Sequence, residues 1–287
     1  MDERAPVVVV RPAPDVQELP LVYDSPHSGN DFPADMNAAV PVSVLRRNED
    51  AFVDALFGHV TALGAVLVKA TFPRTYCDAN RSEQDVDPGV LDGDWDLPAA
   101  PSEKLIRRGA GVVPVKVHGI TDIYDRRLTA KEVKYRLDTC WRPYHRAVET
   151  ELDRLYESYG GVWHINCHST RARGNKTDPD GEADRADFIL GNWDGTTCSA
   201  EFLALVEDFL SARGCSVDVN WPMKGVELVR RYSDPGANRH SLQIELNRKN
   251  YMDEARIEKN EHYAVTEALL ADMNAVIANY VKSRSQV

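Results

Sequence analysis

Three side chains with the chemistry of a hydrolytic site each fall at or near the end of a stretch that reads as a buried strand. The first stretch is Gly161-Val162-Trp163-His164-Ile165-Asn166-Cys167-His168-Ser169. Side chains alternate along a strand, so His164, Asn166 and His168 share one face and Trp163, Ile165 and Cys167 the other. The second is Leu21-Val22-Tyr23-Asp24, followed by Ser25-Pro26-His27-Ser28-Gly29. Proline stops that strand and glycine permits a tight turn, which leaves His27 at its end. The third covers residues 241–248, where Leu242, Ile244 and Leu246 form an apolar face and Gln243, Glu245 and Asn247 a polar one. A glutamate there is costly unless it is paired or faces a wet cleft, which makes Glu245 a catalytic candidate. Its structural alternative is an ion pair with Arg239 or Arg248.

Open α/β sheets place their sites at the C-terminal ends of strands. Two histidines and a carboxylate gathered there suit a catalytic zinc site, with three protein ligands and a water. His164 and His168 lie roughly 13 Å apart on an extended strand, too far to share one metal, and His168 is the one at the strand end. The carboxylate is sought among Glu49, Asp50 and Asp54, near the start of a helix expected over residues 43–63; there they could equally be partners of the helix dipole. Bound zinc acidifies a water and polarises a carbonyl, and a glutamate nearby can move the proton. A Cys167–His168 nucleophile pair is disfavoured because neighbouring strand residues face opposite ways. Arg81 offers a planar fork for a substrate carboxylate, or a structural pair with Asp78, Glu83, Asp85 or Asp87.

These residues need a scaffold of alternating strands and helices. Further strands are expected at residues 65–68, 111–115, 188–191 and 216–220, and an edge strand or arm at 6–13. The spacing predicts helices over 200–213 and 253–282. Thr129-Ala130-Lys131-Glu132 is a capping box opening a helix to about residue 159, with a kink at Pro143. That helix leads into the strand carrying His168, a β-α-β unit. Residues 170–184, with Arg171 and Arg173, read as a mobile loop over the site.

The 287 residues, 43% hydrophobic and 28% charged, suit one α/β domain over residues 1–287. The net charge of −11 makes nucleic acid an unsuitable partner. No apolar run reaches the roughly 20 residues of a membrane helix. Five cysteines without paired spacing, and an acidic start without a signal-peptide pattern, fit reduced thiols in the cytoplasm. The sequence carries no signal of oligomeric state.

Six segments in order resemble the N-formylglutamate amidohydrolase (deformylase) family, along most of the chain. They are Asp24-Ser-Pro-His27-Ser-Gly29, Glu49-Asp50-Ala-Phe-Val-Asp54, Asp78-Ala-Asn80-Arg81, Cys167-His168-Ser169, Phe188-Ile-Leu-Gly191 with Asp194-Gly-Thr-Thr-Cys198, and Leu242-Gln-Ile-Glu245-Leu-Asn-Arg248 with Tyr251-Met-Asp-Glu254. The resemblance implies a mixed central sheet flanked by helices, a zinc-carboxypeptidase-like three-layer sandwich. It implies one zinc ion and hydrolysis of an N-formyl or related N-acyl amino acid, in histidine breakdown when that is N-formylglutamate. The expected ligands are His27, Asp50 and His168, with Glu49 and Asp54 as the rival carboxylates, and the expected base is Glu245. Asn80-Arg81 looks like the Asn-Arg pair that holds a substrate carboxylate in zinc carboxypeptidases. Such a substrate is a small anion with two carboxylates, so Arg171 and Arg173 are expected as further cations. The chain departs from the family pattern at Lys224-Gly225-Val226-Glu227-Leu228, where a Gly-Gly-Tyr-like stretch is expected.

Overall fold

The protein is described from a computed structural model covering residues 5–285. Residues 1–4 and 286–287 of the expected domain lie outside the described residues. The chain opens with β1 (Val7–Val10) and β2 (Leu21–Ser25), and β3 (Val66–Ala70) follows. A hairpin of β4 (Lys116–Val117) and β5 (Thr121–Asp122) stands apart from the main sheet. Then come β6 (Val162–Thr170), β7 (Phe188–Gly191), β8 (Val217–Val219) and β9 (Arg239–Asn247), and a last hairpin of β10 (Met252–Asp253) and β11 (Glu258–Lys259).

The main sheet runs in the order β1-β3-β2-β6-β9-β7-β8. Strands β2, β3, β6 and β9 are mutually parallel, and β1 and β7 pair antiparallel at β3 and β9. This is the mixed sheet expected. Its two faces follow the alternation read from the sequence. Trp163, Ile165 and Cys167 join Leu242, Ile244 and Leu246 in one core. Val22, Val66 and Val68 belong to the other.

The helices are α1 (Val42–Leu45), α2 (Val53–Leu56), α3 (Glu103–Arg108), α4 (Ala130–Arg136), α5 (Arg142–Tyr159), α6 (Ala200–Ser211), α7 (Glu227–Arg231) and α8 (Tyr263–Arg284). Helices α6 and α8 supply Phe202, Val206, Leu270 and Ile277 to the first core. Helices α4 and α5 supply Val133, Tyr144, Val148 and Leu152 to the second. The three layers are therefore helices, sheet and helices. The capping box forms as expected, with the Glu132 amide donating to Thr129 Oγ1 and the Thr129 amide to Glu132.

Four local expectations differ. The helix over 43–63 is broken into α1, α2 and 3-10 turns, because Glu49 is extended and Phe52 takes a φ of 66°. Tertiary bonds replace the helical ones there: the Asp50 amide donates to the His27 carbonyl at 3.0 Å, and Arg248 Nη2 takes the Glu49 carbonyl at 2.6 Å. Residues 111–115 form no strand; the Val112 carbonyl serves the Asp78 amide and the Val112 amide serves Asp85. The helix expected from 129 to 159 passes through a π-helical segment, Leu137–Trp141, just before Pro143. The final helix starts only at Tyr263, behind the β10–β11 hairpin.

Candidate active site

Strands β2, β3, β6 and β9 share a direction, so their C-terminal ends open on one edge of the sheet. His27 follows β2, Asp78 follows β3, and His168 and Glu245 stand near the ends of β6 and β9. β6 and β9 pair with His168 opposite Glu245, so the two side chains leave the same face. Glycine makes the His27 turn possible: a Cβ on Gly29 would lie 2.3 Å from the Phe72 carbonyl oxygen.

The rings of His27 and His168 have centroids 4.7 Å apart. Both turn Nδ1 toward one carboxylate oxygen, Asp50 Oδ2, at 3.4 Å from His27 and 3.1 Å from His168. The other oxygen, Oδ1, accepts from Ser169 Oγ and Arg248 Nη2, each at 3.1 Å. Burial opposes the Asp50 charge, but the bond to His168 and the His27 ring beside it outweigh it and hold the carboxyl well below its ordinary range. Glu49 pairs instead with Arg46, and Asp54 with Lys69.

His27, Asp50 and His168 offer ligand atoms that all lie within 4.8 Å of one another. His27 Nδ1 is buried and lacks a hydrogen-bond partner among the described residues. Tetrahedral ligands at about 2.0–2.1 Å from a cation stand roughly 3.3 Å apart, close to the 3.4 and 3.1 Å from the two histidines to Asp50 Oδ2. The donor set therefore fits a divalent metal, which would give that orphaned nitrogen its partner.

The outer ring nitrogens are already held. His27 Nε2 lies 2.7 Å from Asp78 Oδ1, and His168 Nε2 lies 2.7 Å from Asn166 Oδ1. With Nδ1 given to a metal, each Nε2 carries the proton and donates it, fixing tautomer and ring angle. Asp78 also accepts from Arg74 Nε at 3.0 Å. Burial would raise its pKa, but Arg74 and His27 hold it well below the usual carboxylate range. Behind His168, Asn166 donates to the buried Asp24 at 2.8 Å; His164 Nε2 lies 2.9 Å from the same oxygen, and Tyr144 donates to the other at 2.7 Å. His164 thus supports the site from below, about where its strand spacing puts it.

Glu245 has no ion-pair partner among the described residues. Arg248 is committed to Asp50 and Arg239 to Asp153, and Glu245 receives only a 3.1 Å bond from Gln243. Burial pushes its pKa up. It looks into a cavity of about 850 Å³ that Arg74, Asp78, Arg81, Ser169 and Arg248 also line. Cys167, by contrast, is packed in the core, where burial raises its pKa well above that of a reactive thiol.

The remaining sequence candidates separate. Arg81 lines the cavity and is buried; its Nε, 3.8 Å from Asp78 Oδ2, makes no hydrogen bond. Asn80 points elsewhere: its Oδ1 accepts from the Leu228 amide at 3.0 Å and its Nδ2 lies 3.0 Å from His168 Nε2. Arg171 lines the cavity and is paired to Asp178. Arg173 does not line it; it is exposed, with Nε on the Glu182 carbonyl at 2.5 Å. Arg185 is buried in the lining instead, bonded to Asp180 and Thr170. The loop is thereby tied down by Asp178 and Asp180, and bridges to itself at Arg173 and Asp184. Lys224 pairs with Asp194, outside the lining.

Sequence reasoning did not single out Lys104, Arg108, His118 or Arg185. They come from the short α3 and from loops without periodicity. His118, whose pKa burial and then Arg171 push down to about 3, is a neutral imidazole in the cavity wall. Excess positive charge over residues 104–118 was the one available signal, and around Arg185 the charges balance.

The family model of N-formylglutamate amidohydrolase matches residues 19–252. An N-formylglutamate deformylase from Pseudomonas putida is 29% identical over 240 residues, covering 82% of this chain and 83% of the relative. A solved N-formylglutamate amidohydrolase from Ralstonia eutropha JMP134 superposes with a TM-score of 0.92 at 42% identity, covering 98% of this chain and 99% of that one. A gene product of Agrobacterium tumefaciens shares the fold, with a TM-score of 0.66 at 18% identity over 96% of this chain and 95% of that one. The chain belongs to the N-formylglutamate amidohydrolase family.

Proposed function

We propose that this protein hydrolyses the formamide bond of an N-formyl amino acid, N-formyl-L-glutamate first among them, to formate and the free amino acid. In this reading His27, Asp50 and His168 hold one zinc ion. The observation that carries it is the placement of Glu245, buried and without an ion pair, in register beside His168 at the cavity. A protein that only stored metal would need no such base.

Bound zinc would supply Lewis acidity toward a water and the formyl carbonyl. Glu245 accepts a proton from the attacking water, its burial raising its basicity toward neutral pH. The C–N bond breaks, and Glu245 returns that proton to the departing amine nitrogen. Formate and amine leave, with one water consumed. Arg81, whose Nε makes no hydrogen bond, holds the α-carboxylate and fixes the formyl group toward Glu245. Asn80 donates to Asn166 Oδ1 at 3.4 Å and holds the Leu228 segment rather than touching substrate.

The test is formate release from a panel of N-formyl and N-acetyl amino acids. N-formylglutamate should have the highest kcat/KM. A clear preference for an N-acetyl substrate would replace the formyl assignment while keeping the chemistry.

A further inference from the structure

The cavity holds more cations than the proposed α-carboxylate needs, and most are already matched. Arg108, Arg171 and Arg185 converge on Asp178. Arg74 is matched to Asp78 and Arg248 to Asp50. Among the described residues, Lys104 and Lys176 line the cavity without an ion pair or hydrogen bond.

Both are exposed, and they differ in what carries them: Lys176 sits on the 171–185 loop. Lys104 stands on α3; the charge of Arg81 first, then desolvation, then Arg74 and Arg108 push its pKa well down, with Asp78 opposing them. Its helix is firmly anchored. Ser102 caps it by accepting from the Leu105 amide at 3.1 Å, and Ser102 is itself fixed by two bonds to Asp85 at 2.7 and 2.9 Å. At the other end Gly109 closes it with a φ of 60°. A firmly anchored helix thus brings an unpaired lysine to a cavity it shares with the unbonded Arg81 Nε.

Resting on the reading above, we propose that Lys104 is the specificity-determining cation that receives the side-chain carboxylate of an acidic N-formyl amino acid while Arg81 receives the α-carboxylate. Discrimination then has two sources. A second carboxylate gains a charge-assisted bond from Lys104. It also relieves repulsion among Lys104, Arg81, Arg74 and Arg108 that a neutral side chain leaves in place. This assigns to α3 the role expected from the sequence of Arg171 and Arg173.

The test compares kcat/KM for N-formyl-L-glutamate and its neutral isostere N-formyl-L-glutamine in the zinc-loaded wild type and in Lys104→Met, Lys104→Arg and Lys176→Met. Lys104→Met should lower the glutamate-to-glutamine ratio about 10- to 150-fold, the range of one charge-assisted bond. Lys104→Arg should restore most of the ratio, and Lys176→Met should change it far less. An equal fall on both substrates in Lys104→Met would mark a structural role and overturn the proposal. So would an unchanged ratio, or a fall confined to Lys176→Met, in each case leaving the proposed hydrolysis intact. Absence of formate release by the wild type from either substrate would overturn the hydrolysis and the role of Lys104 together.

Discussion

His168 and Glu245 sit side by side as Cα partners on parallel strands β6 and β9. One offers Nδ1 to the carboxylate it shares with His27; the other is left without a cationic partner. Separated by 77 positions in sequence, they are brought together by strand register alone. A slip of one residue in β9 would turn Glu245 to the opposite face, into the apolar core.

The outer contacts of the histidines should tune metal affinity. Asp78→Asn removes the carboxylate behind His27, whose Nε2 lies 2.7 Å away. Loss of such a partner typically weakens metal binding by about 10- to 100-fold. Competition with a chromophoric chelator measures it, and His27→Ala or His168→Ala should retain no stoichiometric zinc by elemental analysis.

Glu245→Gln preserves shape and removes the base. The variant should keep its metal and its thermal unfolding midpoint close to wild type, while kcat falls by about 10²–10⁴. Steady-state formate release reads this directly, and a kcat within a few fold of wild type would assign proton transfer to another group.

Arginine substitutions should sort by place in the cavity. Arg81→Ala should lower kcat/KM for every N-formyl amino acid by about 10- to 150-fold, the worth of a charge-assisted bond. Arg173→Ala should leave the glutamate-to-methionine preference unchanged, because Arg173 is exposed outside the lining.

The capping box gives a stability prediction with a defined pH sign. Thr129→Ala should destabilise the fold by about 1 kcal/mol in chemical denaturation. Glu132, bonded first by Arg126 and then opposed by burial, has its pKa lowered from 4.5 to about 2. A depressed folded-state pKa contributes stability that is full above the unfolded value and lost as pH falls through the folded one. The destabilisation caused by Glu132→Ala should therefore be constant above about pH 5 and shrink as pH drops from 4.5 toward 2.

Much of the site was legible because alternation is a strict signal. The faces of β6 and β9 followed from period-two spacing, and with them His168 and Glu245; proline and glycine placed His27. The carboxylate was harder. Glu49, Asp50 and Asp54 looked alike on a continuous helix, and only the break at Glu49 and Phe52 turns Asp50 inward. That break is enforced by His27 and Arg248, distant residues that no local propensity encodes. The substrate cations were least legible. Arg171 and Arg173 lie close together in sequence, yet the turn held by Asp178 and Asp180 sends one into the cavity and the other to the surface. Lys104 sits on a six-residue helix that carries no periodic signature.

The most direct measurement is the joint appearance of formate and L-glutamate from N-formyl-L-glutamate, by protein stripped with chelator and then given one equivalent of zinc. The account predicts negligible release from the stripped protein, equimolar products once zinc is restored, and no such recovery in His168→Ala. Undiminished release after stripping, or full recovery in His168→Ala, would contradict it.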